Sequence, residues 1–210
     1  HDVSVELGAI VVANGKAGDG FGGKKGTAYF SGSGKYPQIA PHPDWNFDGD
    51  FTLDFWMNAE RFGGSSSQWA GLLNHRESGD GWELKMDGAR PGQLIFYDSA
   101  GGGELVTPKG TVELNQWAHV AVVRQGVTVK IYVDGSERAS GHYSSMSDAN
   151  TAFRLGIENN GGGTEFQGYL DEIRISKGIA RWTENFTPPT QPYSKEQTVT
   201  KSVPAGLYYV

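Results

Sequence analysis

Between residues 28 and 176, apolar side chains recur at every second position in short runs, and glycine, serine, asparagine and aspartate break the runs apart. In "VTVKIYVDG", Val127, Val129, Ile131 and Val133 share one parity, while Thr128, Lys130 and Tyr132 share the other. A strand sends successive side chains to opposite faces, so this segment has one apolar face and one polar face. "FTLDFWMN", "WAGLLNH", "WELKM", "QLIFYD" and "WAHVAVVRQ" are further strand candidates. The breaks "RFGGSSSQ", "ESGDG", "DSAGGGE", "SMSDAN" and "ENNGGG" are built of turn formers. Helical spacing is nearly absent. "SKGIARWTENF" has room for one short helical turn near 177–185 before Pro188 and Pro189 stop it. Strands about 8–12 residues apart without intervening helices predict an all-β fold of two packed antiparallel sheets. The "RQG" step predicts a tight turn joining "WAHVAVV" to "VTVKIYV" as a hairpin.

Composition narrows the function classes. The 210 residues suffice for one large sandwich. The net charge of −6 is spread along the chain, which argues against a basic nucleic-acid face. The absence of cysteine excludes disulfide frameworks and cysteine-based zinc sites. No apolar run approaches the ~20 residues of a membrane-spanning helix. The first residue is His, which implies a processed chain or a fragment. Three segments emerge: an arm with a Gly-rich connector (1–27), the strand-rich body (28–193) and a tail (194–210) ending in the apolar "GLYYV". "VSVELGAIVVA" has strand capacity. The expectation is that both arms dock on other subunits, the first by adding a strand to a neighbour's edge; the alternative is docking on their own sandwich.

"GYLDEIRIS" poses a problem. Plain alternation puts Tyr169, Asp171, Ile173 and Ile175 on one face, and the isoleucines mark that face as buried. A buried carboxylate needs partners. A hard cation with oxygen ligands is one solution, and hydrogen bonds from backbone N–H groups or an arginine are the other. Two further motifs lack the context their chemistry needs. "DWNFDGD" sets Asp44, Asn46, Asp48 and Gly49 in calcium-loop spacing without the later glutamate or flanking helices. "GDGFGG" (18–23) has the glycine spacing of a phosphate loop, but no amphipathic helix follows. No nucleophile elbow or His-rich metal motif is present, so the chain is expected not to be an enzyme. Trp69, Trp82, Tyr97 and Tyr143 are candidates for stacking on a sugar ring, with ordinary sheet packing as the alternative.

Several stretches resemble one family. "AYFSGSGKYPQI", "DGDFTLDFWM", "NQWAHVAVVRQGVTVKIYVDGSERAS" and "GYLDEIRISKGIARWTENFTPPTQPY" fall in the order of a laminin-G-like domain of the concanavalin A-like lectin/glucanase superfamily. The resemblance covers about residues 28–193. It implies a jelly roll of one concave and one convex antiparallel sheet. It implies a structural calcium ion with Asp171 as a ligand, and core positions for Trp56 and Trp117. It also implies a structural His119 and a C-terminal hook packed down by Trp182. Glucanases of the superfamily carry acids as E-x-D-x-x-E on one strand; Glu83 and Asp87 do not match that pattern. The hook looks most like those of bacteriophage structural proteins and bacterial secreted proteins. The expectation is therefore a non-catalytic virion-surface protein, a capsid decoration or tail-associated module. Its expected partners are other virion or surface subunits, or further copies of itself. The alternative is a glycan-binding module of a secreted protein, and a remote one is a glycoside hydrolase. The expected location is a virion surface or the extracellular space.

Overall fold

The computed structural model describes residues 4–6, 27–33, 36–158, 162–191 and 193. Thirteen strands are formed among them: β1 (Ser4–Glu6), β2 (Ala28–Ser31), β3 (Gln38–Ile39), β4 (Phe51–Ala59), β5 (Trp69–Glu77), β6 (Asp80–Asp87), β7 (Gln93–Asp98), β8 (Gly103–Val106), β9 (Trp117–Gln125), β10 (Thr128–Val133), β11 (Ser136–His142), β12 (Phe153–Leu155) and β13 (Gln167–Lys177). They make a seven-stranded sheet, β1-β13-β4-β9-β10-β11 with β2 also on β13, and a six-stranded sheet, β3-β12-β5-β6-β7-β8. The ladders within both sheets are antiparallel. The expected all-β, concanavalin A-like jelly-roll sandwich is the architecture observed.

The alternating rows explain why the sheets face each other. Leu53, Phe55 and Met57 of β4, Val120 and Val122 of β9, and Val129, Ile131 and Val133 of β10 point inward. They meet Trp82, Leu84 and Met86 of β6 and Leu94 and Phe96 of β7. Burying one such side chain stabilises the fold by roughly 1.5–3 kcal/mol. The β9–β10 hairpin turns where "RQG" predicts, with Gln125 opposite Thr128 and Gly126 at φ +58°. Val127, at the turn, is exposed, so the apolar row begins at Val129.

Two expectations are corrected here. Residues 178–185 form no helix; they run without regular structure over the seven-stranded sheet, and the short helical element is instead a 3₁₀ turn at Pro43–Trp45. Asp171 does not share a row with Ile173 and Ile175. The register of β13 on β4 shifts between Asp171 (opposite Trp56) and Arg174 (opposite Asp54), so two residues face Phe55 alone. This is a β-bulge, and Glu172 adopts φ +50° within it. Before the bulge Leu170 is inward, and after it Ile175 is inward. Asp171, Arg174 and Ser176 therefore follow Asp54 and Trp56 on the outer face.

The bulge falls at a gap in pairing. β2 covers β13 from Gln167 to Leu170, and β1 covers it from Arg174 to Ser176. At Ser4–Glu6 the first arm thus adds a strand to its own sheet, where docking on a neighbour was expected. The "GDGFGG" motif and the tail from 194 onward lie outside the described residues.

Candidate ligand-binding face

Strand β6 builds the outer face of the six-stranded sheet by alternation. Trp82, Leu84 and Met86 face the core, so Glu83, Lys85 and Asp87 face out. The neighbouring strands align their own outward residues with this row. Trp69 lies opposite Asp87, Gly71 opposite Lys85 and Asn74 opposite Glu83 on one side; Tyr97 lies opposite Glu83 on the other. Next along, Arg154 of β12 pairs with Asn74 and Glu104 of β8 with Tyr97.

These residues form a lattice of charge on a buried floor. Lys85 Nζ lies 2.8 Å from Glu83 Oε1, 2.9 Å from Glu158 Oε1 and 3.9 Å from Glu104 Oε1. Arg76 Nη1 is 3.2 Å from Glu83 Oε1, and Asn74 Nδ2 donates to Glu83 Oε2 at 3.2 Å. Lys85 and Glu83 are only 5% and 1% exposed. Burial by itself lowers the Lys85 pKa, but the adjacent Glu83 and Glu158 carboxylates more than offset that and raise it. Burial pushes Glu158 up, against the pull of Lys85. Glu158 reaches the floor because Gly71 has no side chain: a Cβ there would meet the Ile157 and Glu158 backbone at about 2.0 Å.

Two rings stand over this floor. Lys85 Nζ is 4.5 Å from the Trp69 ring centre and 6.0 Å from that of Tyr97, and the Arg76 guanidinium is 4.4 Å from Tyr97. Both rings are half-buried, leaving aromatic surface in contact with solvent. The other two sugar-stacking candidates are elsewhere. Trp82 is 0% exposed between Phe47, Phe96 and Phe153, and donates through Nε1 to Trp45 O at 2.8 Å. Tyr143 is 2% exposed beneath Gly102 and donates to Gly103 O at 3.1 Å. Neither can reach a ligand without unfolding the core. Parity with Leu84 and Met86 was the signal that placed Trp82 inward. The same parity marks Glu83 and Lys85 as outward, residues that the aromatic search passed over.

The opposite outer face is closed by the chain itself. Trp182 and Phe186 stack at 4.0 Å and meet His119 edge-on. Beneath them Arg174 donates to Asp54 through Nε at 3.0 Å and Nη2 at 2.8 Å. Tyr193 donates its hydroxyl to the same carboxylate and lies 3.1 Å from His119 Nε2. Burial opposes the charge on Asp54, yet the contacts from His119, Arg174 and Tyr193 overcome it and hold the carboxyl below its ordinary range. His119 and Trp182 are thus structural and hook residues, as expected. Trp56 and Trp117 are not core residues: both are half-buried on this face, against His119 and Tyr169.

Asp171 accepts hydrogen bonds from Thr27 Oγ1 at 3.1 Å and from the Glu172 N–H at 2.9 Å. Burial still pushes its carboxyl up. Among the described residues no three carboxylate, imidazole or thiol groups converge on a metal position. One carboxylate and one hydroxyl do not by themselves fit a calcium ion, which takes six to eight oxygens; waters and carbonyls outside the described residues would have to complete the set. In the Asp44–Asp48 segment the side chains diverge. Asp44 pairs with His42, Asn46 Oδ1 accepts from Ala149 N at 2.9 Å, and Asp48 is exposed. No helix among the described residues is long and apolar enough to cross a membrane.

Comparison with known structures reproduces the fold at low identity. The binding domain of Paraclostridial Mosquitocidal Protein 1 superposes with a TM-score of 0.60 at 18% identity, over 82% of this chain and 43% of that one. Domains LG4-5 of the mouse laminin α1 chain give 0.53 at 17% identity, over 74% and 42%. A Bacteroides ovatus protein whose carbohydrate binding is inferred gives 0.52 at 22% identity, over 72% and 42%. The chain therefore spans somewhat under half the length of each of these structures. No curated protein matches in sequence. Residues 31–184 match the Laminin_G_3 family profile of the concanavalin A-like lectin/glucanases superfamily.

Proposed function

This chain belongs to the concanavalin A-like lectin/glucanases superfamily, and we propose that it is a non-catalytic module that binds glycan on the outer face of its six-stranded sheet. One observation carries the reading: Trp69 of β5 and Tyr97 of β7 present half-buried rings on one face, both within 6.0 Å of Lys85 Nζ. Apolar sugar faces stack on such rings, and the polar residues around them suit hydroxyl groups. The names of two neighbours, the binding domain of a mosquitocidal protein and a protein of inferred carbohydrate binding, support the reading.

The carboxylates favour binding over hydrolysis. A glycosidase needs one carboxyl as acid and a second free to act as base or nucleophile. Here Glu83 accepts from Asn74, Arg76 and Lys85 together and Glu158 is held by the same lysine, so among the described residues the exposed Glu104 has no second free carboxyl beside it in this lattice. The setting on a virion surface or another extracellular assembly, with other subunits as partners, is proposed from the resemblance of the closing hook alone.

The test is a glycan array followed by titration of the best ligand. Trp69→Ala and Tyr97→Ala should each weaken binding about tenfold or more, a loss of at least 1.4 kcal/mol, with the thermal midpoint little changed. A folded wild-type protein that binds no glycan, or variants that bind as wild type, would refute the proposal.

A further inference from the structure

Resting on that reading, the geometry points to uncharged glycans as the ligand class, with acidic ones rejected. Among the described residues the face carries Lys85, Arg76, Arg90 and Arg154, and each has a carboxylate partner. Lys85 is held by Glu83 and Glu158, Arg76 by Glu83, Arg90 by Asp87 and Arg154 by Glu77. A sulfate or uronate would find no uncommitted cation among these four. It would have to share a cation with the carboxylate already beside it, on a floor where Lys85 and Glu83 are nearly fully buried and where like charges in close contact repel.

The surplus charge has the opposite sign. Glu104 stands beside Tyr97 at the edge of the lattice, 3.9 Å from Lys85 Nζ, and its side chain is 40% exposed. Its carboxylate accepts hydrogen bonds only. A sugar hydroxyl can donate to it, whereas an anionic group meets repulsion. A neutral sugar ring stacked on Trp69 or Tyr97 can lay its hydroxyls against Glu104 and Glu158 with the ion pairs left whole. Because no ion pair forms on binding, salt should have little influence on affinity.

The experiment is affinity electrophoresis of the whole chain through gels containing neutral polysaccharides (arabinan, xylan, β-glucan) or acidic ones (heparin, polygalacturonate). At least one neutral polymer should retard the protein. The acidic polymers should bind at least about tenfold more weakly. The neutral affinity should hold between about 0.05 M and 0.5 M salt. Glu104→Lys should raise the affinity for an acidic polymer. Trp69-dependent binding of an acidic polymer as tight as that of any neutral one would overturn the inference while leaving the binding module intact. An unchanged acidic affinity in Glu104→Lys would likewise overturn it. Absence of retardation in every gel by folded protein would instead remove the underlying reading.

Discussion

Replacing Arg174 with methionine keeps most of the side chain's volume and removes both of its hydrogen bonds to Asp54. Asp54 and Arg174 are 0% and 3% exposed, so solvent cannot enter to compensate. What is left among the described residues is a buried carboxylate held by the Tyr193 hydroxyl and by His119, whose Nε2 lies 3.6 Å away. Breaking such a pair from one side costs about 3–5 kcal/mol. For a domain of this size that lowers the melting temperature by about 6–20 °C. Adding Asp54→Leu removes the orphaned charge, and the Tyr193 hydroxyl still has His119 Nε2 at 3.1 Å. The double variant should therefore regain about 2 kcal/mol or more, since a buried ion pair is worth little against well-packed apolar replacements. Urea denaturation with linear extrapolation measures both differences. The reasoning fails if Arg174→Met loses less than about 1 kcal/mol, or if the double variant is no more stable than the single.

Three further outcomes are expected. Trp82→Ala should cost about 3–5 kcal/mol of stability, as for large core aromatics, whereas Trp69→Ala should affect binding far more than the urea midpoint. Asp54 has a folded pKa below its unfolded value, so its stabilisation is complete above about pH 3.9 and is lost as the pH falls through the folded pKa. Wild type should thus lose stability below about pH 4 more steeply than Asp54→Asn, read by denaturation at a series of pH values. Exhaustive EDTA treatment should leave the thermal midpoint unchanged, because Thr27 and the Glu172 N–H already engage Asp171; a fall reversed by added calcium would place a cation there.

The hairpin at Gln125–Thr128 and the two-sheet architecture were legible because alternation and turn chemistry are local. The row Glu83, Lys85, Asp87 was legible for the same reason. Asp171 was misplaced because the bulge at Glu172 uses a non-glycine residue at positive φ, which leaves no mark in composition. Trp56 was misplaced by the resemblance, although its alternation with Phe55 and Met57 already sets it outward, and Tyr143 was misplaced for a different reason. What covers an outward residue, or a loop tyrosine, is decided by segments distant in sequence. Tyr143 reaches Phe96 across 47 positions, and His119 reaches Tyr193 across 74. The ion-pair partner Glu158 lies 73 residues from Lys85 and depends on a missing side chain at Gly71.

Strand β13 lies between β4 on one side and β1 and β2 on the other, although it is the last of the described strands in chain order. During synthesis the seven-stranded sheet therefore lacks an interior member until residue 177 has been made. Until then β4 carries an open edge, with its inward row of Leu53, Phe55 and Met57 incompletely covered. Pairings such as Asp54 with Arg174, 120 residues apart, tie completion of the fold to the arrival of the carboxy-terminal third. Contacts of such long range slow folding and prolong exposure of unpaired edges. A nascent chain whose synthesis has not yet passed Lys177 should accordingly depend on protection from aggregation, which pairing of β13 ends.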